Sequence, residues 1–358
     1  MIEAGYELDD KFIGAHHQPV TLMDLVCDQG AEVDRLLRHT GLFYHEVAAG
    51  RALASPRQYL QLIHNARRLY PEPELSFLHG QRLFPGHYGA VSALLGNAPD
   101  LGQALAVFES AQSLISPLLT TRVARAGDYC CVQWLDACGA GDEYRFLVET
   151  MMAGLASVTR WLSGERLPWI FQFSYPRPAY PEQYRVHLGS DLHFDAHMDA
   201  MLLPAGYLDR PWPRASATAR ALALRDCEND LARLGFRTSF IQALYDYLRQ
   251  RVREPVSLEQ AASALGASPA TLKRRLRRQG THFQQLLDRA RKHEALHLLQ
   301  LHGYSNDQVA RHLSFNDPTN FRRSFKRWTG LTPSACRRLL ARTLDRPDPS
   351  ARSDEGAC

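Results

Sequence analysis

Hydrophobic positions along the chain follow a helical period, then a strand period, then a helical period again. From Arg57 to Leu69, Tyr59, Leu60, Ile63 and Ala66 share one helical face behind Ser55-Pro56, a capping residue followed by a first-turn proline. Leu101–Leu114 and Tyr144–Leu162 repeat that spacing. Between them, Leu118–Ala124 and Tyr129–Leu135 predict two strands joined across Gly127-Asp128. The second strand alternates Tyr129, Cys131 and Gln133 with Cys130, Val132 and Trp134. Trp169–Tyr175 predicts a third strand, closed by Pro176 and Pro178, and residues 176–214, rich in proline, aromatics and glycine, predict loops and short strands. Ala215–Leu234 predicts a helix that ends at a junction, Gly235. Beyond it every apolar pattern is helical, interrupted at Pro255, Gly280 and Gly303. The expected fold class is an α+β N-terminal domain (1–235) followed by an all-α C-terminal domain (238–342). Residues 343–358, with Pro347, Pro349, Gly356 and several charges, predict a disordered tail.

The C-terminal helical pattern is doubled. Ser257-Leu258-Glu259-Gln260 and Ser305-Asn306-Asp307-Gln308 are both S-x-x-Q, a capping box in which serine and glutamine satisfy the orphan amides of a helix start. Ala261, Ala262 and Leu265 recur as Val309, Ala310 and Leu313 at a shift of 48, and Leu272 and Leu276 recur as Phe321 and Phe325 at a shift of 49. One extra residue in the second turn accounts for the change. Two helix-turn-helix units, 257–279 and 305–328, are therefore expected, joined by a long helix over Phe283–Leu301 with Phe283, Leu287, Ala290, Leu298 and Leu299 among its buried positions. In each unit the second helix is the one that enters a major groove. In the first, capped by Ser268 and opened by Pro269, Ala270, Lys273 and Arg274 face bases while Arg277 and Arg278 fall nearer phosphates. In the second, capped by Asp317 and opened by Pro318, Thr319, Arg322 and Arg323 face bases while Lys326 and Arg327 fall nearer the backbone. A rigid connector is expected to hold the two helices about one DNA turn, roughly 34 Å, apart.

Charge sharpens this picture. Residues 241–342 carry 19 Lys and Arg against 7 Asp and Glu, a net +12, whereas residues 1–240 carry a net −6 and the tail −2. The overall +4 thus hides a strongly basic C-terminal region, the electrostatic footprint of a phosphate-binding surface. The 45% hydrophobic and 22% charged fractions are those of a soluble globular protein. No apolar run reaches the roughly 18 residues that span a bilayer, and the acidic start Met1–Asp10 lacks a signal peptide's basic and apolar regions. The seven cysteines, scattered and without a C-x-x-C, imply reduced thiols and a cytoplasmic location.

Other chemistry is weakly supported. Asp191, His193, Asp195, His197 and Asp199 alternate and would share one strand face, but the stretch reads as a hydrogen-bonded surface; no metal and no cofactor are expected. Nucleophile-elbow, phosphate-loop, dinucleotide and zinc-protease motifs are all missing, so the chain is not expected to be an enzyme. The enzymatic rival is alkyl-transfer DNA repair, which needs an activated thiolate. Cys336 precedes Arg337 and Cys27 adjoins Asp28, yet no acceptor motif or four-cysteine zinc cluster accompanies them.

The run Val309–Pro333, with Ser314-Phe315-Asn316-Asp317-Pro318 and Phe321-Arg322-Arg323-Ser324-Phe325, closely resembles the signature of the AraC/XylS family of transcription regulators. Ala261–Phe283 is similar to the first reading unit of that family. Two positions depart from it: Ser314 stands where a turn glycine is usual, at a cost of about 1 kcal/mol if the position needs a positive φ, and Cys336 stands where a tyrosine is usual. Phe77–Arg82, Pro85–Gly89, Leu101–Leu105, Arg145–Glu149, Tyr175–Pro178 and Phe194–His197 more loosely resemble the effector domain of ornithine-utilisation-type members. The resemblance implies an effector-sensing, dimerising N-terminal domain, with His87, Tyr88, Arg145 and Glu149 as effector-binding candidates. The domain's family name is arabinose-binding, but the helical pattern here does not imply arabinose. The expected partners are double-stranded promoter or operator DNA, a small-molecule effector, a second copy of the chain and, for an activator, RNA polymerase; no membrane partner is expected. The expected function is a sequence-specific DNA-binding transcription regulator under effector control. An architectural DNA-binding protein without effector control is the alternative.

Overall fold

The computed structural model describes residues 5–86, 88–126, 128–300 and 303–337. The expected tail lies outside them. The chain forms two compact units: the described residues up to Leu244 together with Ala264–Thr281, and Tyr245–Ser263 together with the described residues from His282 onward. The division between them thus falls inside the first helix-turn-helix pattern rather than at residues 235–238. Long-range contacts made by the helix Pro269–Arg278 within the first unit account for this. The Arg275 guanidinium bonds the Glu7 carboxylate at 2.7 Å and lies 3.9 Å from the centroid of the Phe240 ring. Gly139, at φ +77°, lets the Gln279 carbonyl approach so closely that any side chain there would clash with it at 2.2 Å.

The first unit combines helices with two sheets. A short antiparallel pair, β1 (Ile13–Gly14) and β2 (Leu53–Ala54), is separate from a five-stranded open sheet. The latter comprises β3 (Leu119–Ala126), β4 (Tyr129–Asp136), β5 (Ile170–Gln172), β6 (Leu192–His193) and β7 (Asp199–Pro204), in the order β3-β4-β7-β5-β6. β3 and β4 form the expected hairpin, in register from Leu119↔Asp136 to Ala126↔Tyr129. The alternation holds: Cys130, Val132 and Trp134 are buried, whereas Tyr129, Cys131 and Gln133 are half-buried.

Residues 176–214 are more ordered than their composition predicts. They contain a helix, Pro181–His187, and the strand β7, which sits inside the sheet between β4 and β5. Ala200, Met201, Leu202 and Leu203 are all buried, so this strand is apolar on both faces and shows no period of two. The alternating Asp and His positions do not share a strand face. Asp195 breaks the run at φ 55°, Asp191 bonds His193 at 2.7 Å, and Asp199 turns inward to accept from the Ser174 amide, the Ser174 hydroxyl and the Tyr144 hydroxyl. No group of three or more potential metal ligands converges among the described residues.

The helix Pro56–Leu69 begins with a full capping box between Ser55 and Gln58 and buries Tyr59, Leu62, Ile63 and Ala66, with Leu60 half-buried against the same core. The expected helix Leu101–Leu114 breaks at Ala111 into Leu101–Ser110 and Gln112–Ile115. Helices Leu75–Leu83 and Tyr144–Ser163 cross closely at Gly80, where any Cβ would lie 2.2 Å from the Thr150 carbonyl. In the second unit the helices Phe283–Gln300, Asn306–His312 and Pro318–Thr329 pack around Leu286, Ala290, Leu299, Val309, Leu313 and Phe321, all but excluded from solvent. Burial of each of the larger of these side chains, the leucines, Val309 and Phe321, stabilises the unit by roughly 1.5–3 kcal/mol. No described helix is long and apolar enough to cross a membrane.

His79 is fully buried in the first unit. It shares one hydrogen bond, 3.2 Å, with the Tyr59 hydroxyl, and its Nδ1 has no partner among the described residues. Burial, helped by the charge of Arg82, pulls its pKa down to about 3. The unfolded chain, with an imidazole pKa of about 6.5, therefore binds the proton first as pH falls. Stability present above pH 6.5 is lost progressively towards pH 3. Urea unfolding followed across that range should show this slope in the parent protein and a shallower one in His79→Gln; parallel curves would remove His79 from the account.

Candidate DNA-reading helices and effector cavity

Each candidate reading helix is built on the same local design. Ser268 Oγ accepts from the Thr271 amide at 3.1 Å, Pro269 takes the first turn, and Leu272 and Leu276 are buried one turn apart. That orientation leaves Ala270, Lys273, Arg274, Arg277 and Arg278 exposed on the other face. The four cations have no ion pair or side-chain hydrogen bond among the described residues. Arg275, between them, is turned away by its bond to Glu7. In the second unit Asp317 Oδ1 accepts from the amides of Thr319 at 2.6 Å and Asn320 at 2.9 Å, and these bonds, the Asn320 one foremost, hold its carboxyl below the usual range. Phe321 and Phe325 are fully buried, and Phe315 packs against Phe321 and Trp328.

Thr319, Arg322, Arg323, Lys326 and Arg327 are exposed, as is Asn320, which the sequence does not single out. Two are partly engaged within the protein: Arg327 lies 3.3 Å from Asp288, and Arg322 Nε donates to the Pro318 carbonyl at 3.3 Å. Arg323 has no such partner among the described residues. The preceding helices Leu258–Ala264 and Asn306–His312 both carry complete capping boxes. The Ser257 amide donates to Gln260 Oε1 at 2.8 Å and the Ser305 amide to Gln308 Oε1 at 2.7 Å, each with the reciprocal bond at 3.2 Å. Leu313 is buried while its counterpart Leu265 is only half-buried. In the turns, Gly266 adopts φ 62° and Ser314, 48 residues on, adopts φ 55°. The position does require the left-handed region, and Ser314 occupies it while its hydroxyl donates to the Arg253 carbonyl.

The first unit contains a cavity of about 660 Å³. Helix Pro56–Leu69 contributes His64, Arg67 and Arg68, the turn Tyr70–Pro73 forms its rim, and helix Tyr144–Ser163 contributes Arg145, Phe146 and Glu149. Arg145 and Glu149, four residues apart, both line it. Glu149 is buried and fully bonded. It accepts from Arg145 Nε at 2.8 Å, from the Ser76 hydroxyl at 2.6 Å and from the Tyr184 hydroxyl. The Arg145 guanidinium donates to Tyr184 at 3.0 Å and lies 4.9 and 5.1 Å from the ring centroids of Tyr175 and Tyr180. Burial, with Glu149 next, pushes the Tyr184 and Tyr175 phenols up, so both stay protonated. A second acid, Glu143, holds Arg67 at 2.5 Å and His64 at 3.1 Å.

Tyr88 is elsewhere. It is buried in the core against Phe84 and His17, 5.9 and 5.4 Å between ring centroids, and does not line this cavity. His87 lies outside the described residues. The three tyrosines around Arg145 and the Glu143 pair escape sequence reading because they join positions 30 to 79 residues apart with no local signal.

A family model described as the arabinose-binding domain of AraC transcription regulator, N-terminal, matches residues 30–212, and a helix-turn-helix domain model matches residues 261–339. The chain is 29% identical to the ornithine utilization regulator of Pseudomonas aeruginosa over 314 residues, which cover 87% of this chain and 93% of that protein. It is 24% identical, over 71% of its length and 76% of the relative's, to an uncharacterized HTH-type transcriptional regulator of Mycobacterium tuberculosis. Among solved structures, the transcriptional regulator CdpR from Pseudomonas aeruginosa aligns over 90% of this chain and 98% of its own, with 20% identity and a TM-score of 0.45.

The Arg145–Glu149 pair lends itself to a thermodynamic cycle. Arg145→Met strands a buried carboxylate and is expected to cost roughly 2–3 kcal/mol, less than the 3–5 of fully enclosed pairs because Arg145 keeps some contact with water. Adding Glu149→Gln should recover part of that loss in urea unfolding. A double variant less stable than Arg145→Met alone would contradict the assignment.

Proposed function

This chain belongs to the AraC family of transcription regulators, which join a ligand-binding N-terminal domain to a DNA-binding helix-turn-helix domain, and on that premise we propose how its residues divide the work. Residues 238–342 form the DNA-binding domain and residues 1–235 the effector-sensing and dimerising one. Pro269–Arg278 and Pro318–Thr329 are the two reading helices. Lys273 and Arg274 in one, and Thr319, Arg322 and Arg323 in the other, meet base edges near each helix start; Arg277, Arg278, Lys326 and Arg327 sit later and meet phosphates. The observation that carries this reading is the pairing, in each helix, of two buried side chains four apart with an exposed and largely unpaired cationic face. An arginine bidentate to guanine supplies about 1–3 kcal/mol of discrimination, whereas a phosphate contact supplies affinity alone.

The effector site is the cavity lined by Arg145 and Glu149. Its lining mixes guanidinium and carboxylate groups with tyrosines, which suits a small ionic metabolite better than a neutral sugar. The relative named for ornithine utilization fits that direction without fixing the ligand. A dimer places four reading helices on one operator, and RNA polymerase is a further partner if the chain activates. We place the protein in the cytoplasm and assign it no catalysis. Five of the seven thiols support the latter: burial pushes Cys130 to about 11, Cys131 to about 12 and Cys227 to about 11, and raises Cys27 and Cys138, the reverse of an activated alkyl acceptor.

Selection of binding sites from random DNA by the full-length protein at two salt concentrations tests the paired reading. Enrichment of two sequence blocks about ten base pairs apart is expected. Binding without any enriched motif, vanishing at moderate salt, would favour an architectural protein held by phosphates alone.

A further inference from the structure

A second concavity in the first unit, of about 340 Å³, shares His64 and Arg68 with the cavity described above but differs from it in charge. The first has Glu72, Asp142, Glu143 and Glu149 among its lining residues; the second is lined by Arg35, Arg38, His39, His64 and Arg68 and by no carboxylate. In the first, Arg67 and Arg145 are each bonded to a buried glutamate. In the second, the guanidinium groups of Arg35, Arg38 and Arg68 are exposed and have no ion pair or hydrogen bond among the described residues.

The two walls are held in place. Leu36 is buried where the short helix Val33–Leu36 packs on helix Pro56–Leu69. The Asn65 side-chain amide donates to the carbonyls of Leu36 at 2.8 Å and Arg38 at 2.7 Å, while its oxygen accepts from Gln61 at 3.0 Å. Thr40, also buried, donates to the Leu37 carbonyl at 2.7 Å and accepts from the Leu42 amide. These bonds fix the segment carrying Arg35, Arg38 and His39 against the helix carrying Arg68. Three guanidinium groups are thus gathered around one concavity by packing, with no carboxylate in its lining; Glu143, bonded to His64 at 3.1 Å, offsets only the imidazole.

We propose that this concavity binds a small polyanion, carrying two or more negative charges on carboxylate or phosphate oxygens, between Arg35 and Arg38 on one wall and Arg68 on the other. Guanidinium forks match the oxygens of both groups, and the volume lies at the small end of ligand sites. The inference does not depend on the first cavity being the effector site.

Thermal unfolding of the full-length protein with citrate or inorganic pyrophosphate, against sodium chloride at equal ionic strength, tests it. A saturable rise of roughly 5 °C at about a hundredfold excess over Kd is expected. The double variant Arg35→Gln/Arg68→Gln should abolish the rise while melting in sodium chloride at the parent temperature or slightly above, since it relieves like-charge repulsion. The double variant Lys273→Gln/Arg274→Gln should keep it. A rise with citrate alone assigns a polycarboxylate, and one with pyrophosphate alone a phosphate-bearing ligand. A rise that survives Arg35→Gln/Arg68→Gln places the anions elsewhere, one that is lost in Lys273→Gln/Arg274→Gln places them on the helix Pro269–Arg278, and either overturns the proposal, as does no rise with either probe.

Discussion

A helix of ten or twelve residues is marginal in water, so a reading helix exists only while part of its surface is buried. Here that anchorage is two side chains one turn apart: Leu272 and Leu276 in one helix, Phe321 and Phe325 in the other. The exposed face follows from it. Once those pairs are buried, the periodicity turns Lys273 and Arg274, or Arg322 and Arg323, to solvent. The serine and aspartate caps fix where each helix begins, and hence which exposed residues stand in its first turn. Ser314 shows how firmly the second turn is held, since it keeps a left-handed backbone that its counterpart Gly266 adopts without hindrance.

The first helix has an additional constraint. Arg275 spans 268 residues to reach Glu7, and Gln279 fits against Gly139. One arginine in a run of four is thereby removed from the exposed cationic face, and the helix becomes part of the compact unit that also contains the cavity lined by Arg145 and Glu149.

What was legible in the sequence is what is encoded locally. Both capping boxes, the proline first turns, the β3–β4 hairpin and the buried pairs of the reading helices need only a few consecutive residues to declare themselves. What was hidden depends on distant partners or on burial without a period. β7 is apolar on both faces, so its run Ala200–Leu203 carries no alternation. Helix Pro181–His187, in a stretch whose prolines imply loops, delivers Tyr184 to Glu149. Arg145 and Glu149 were reachable through resemblance, but the tyrosines that enclose the guanidinium were not. Tyr88 belongs to the core, where an aromatic side chain with a polar tip gives no sign in sequence of which it will do.

The account stands on two helices reading separate parts of one site, and the most direct measurement is a cycle between protein and DNA. Affinities of the parent protein, Arg274→Ala and Arg323→Ala would be measured on an operator and on duplexes altered one base pair at a time. Each variant should lose discrimination at positions in one block only, about ten base pairs from the block affected by the other, while retaining it elsewhere. If both variants weaken every duplex by the same factor, these arginines hold phosphates, and neither helix reads sequence in the way described.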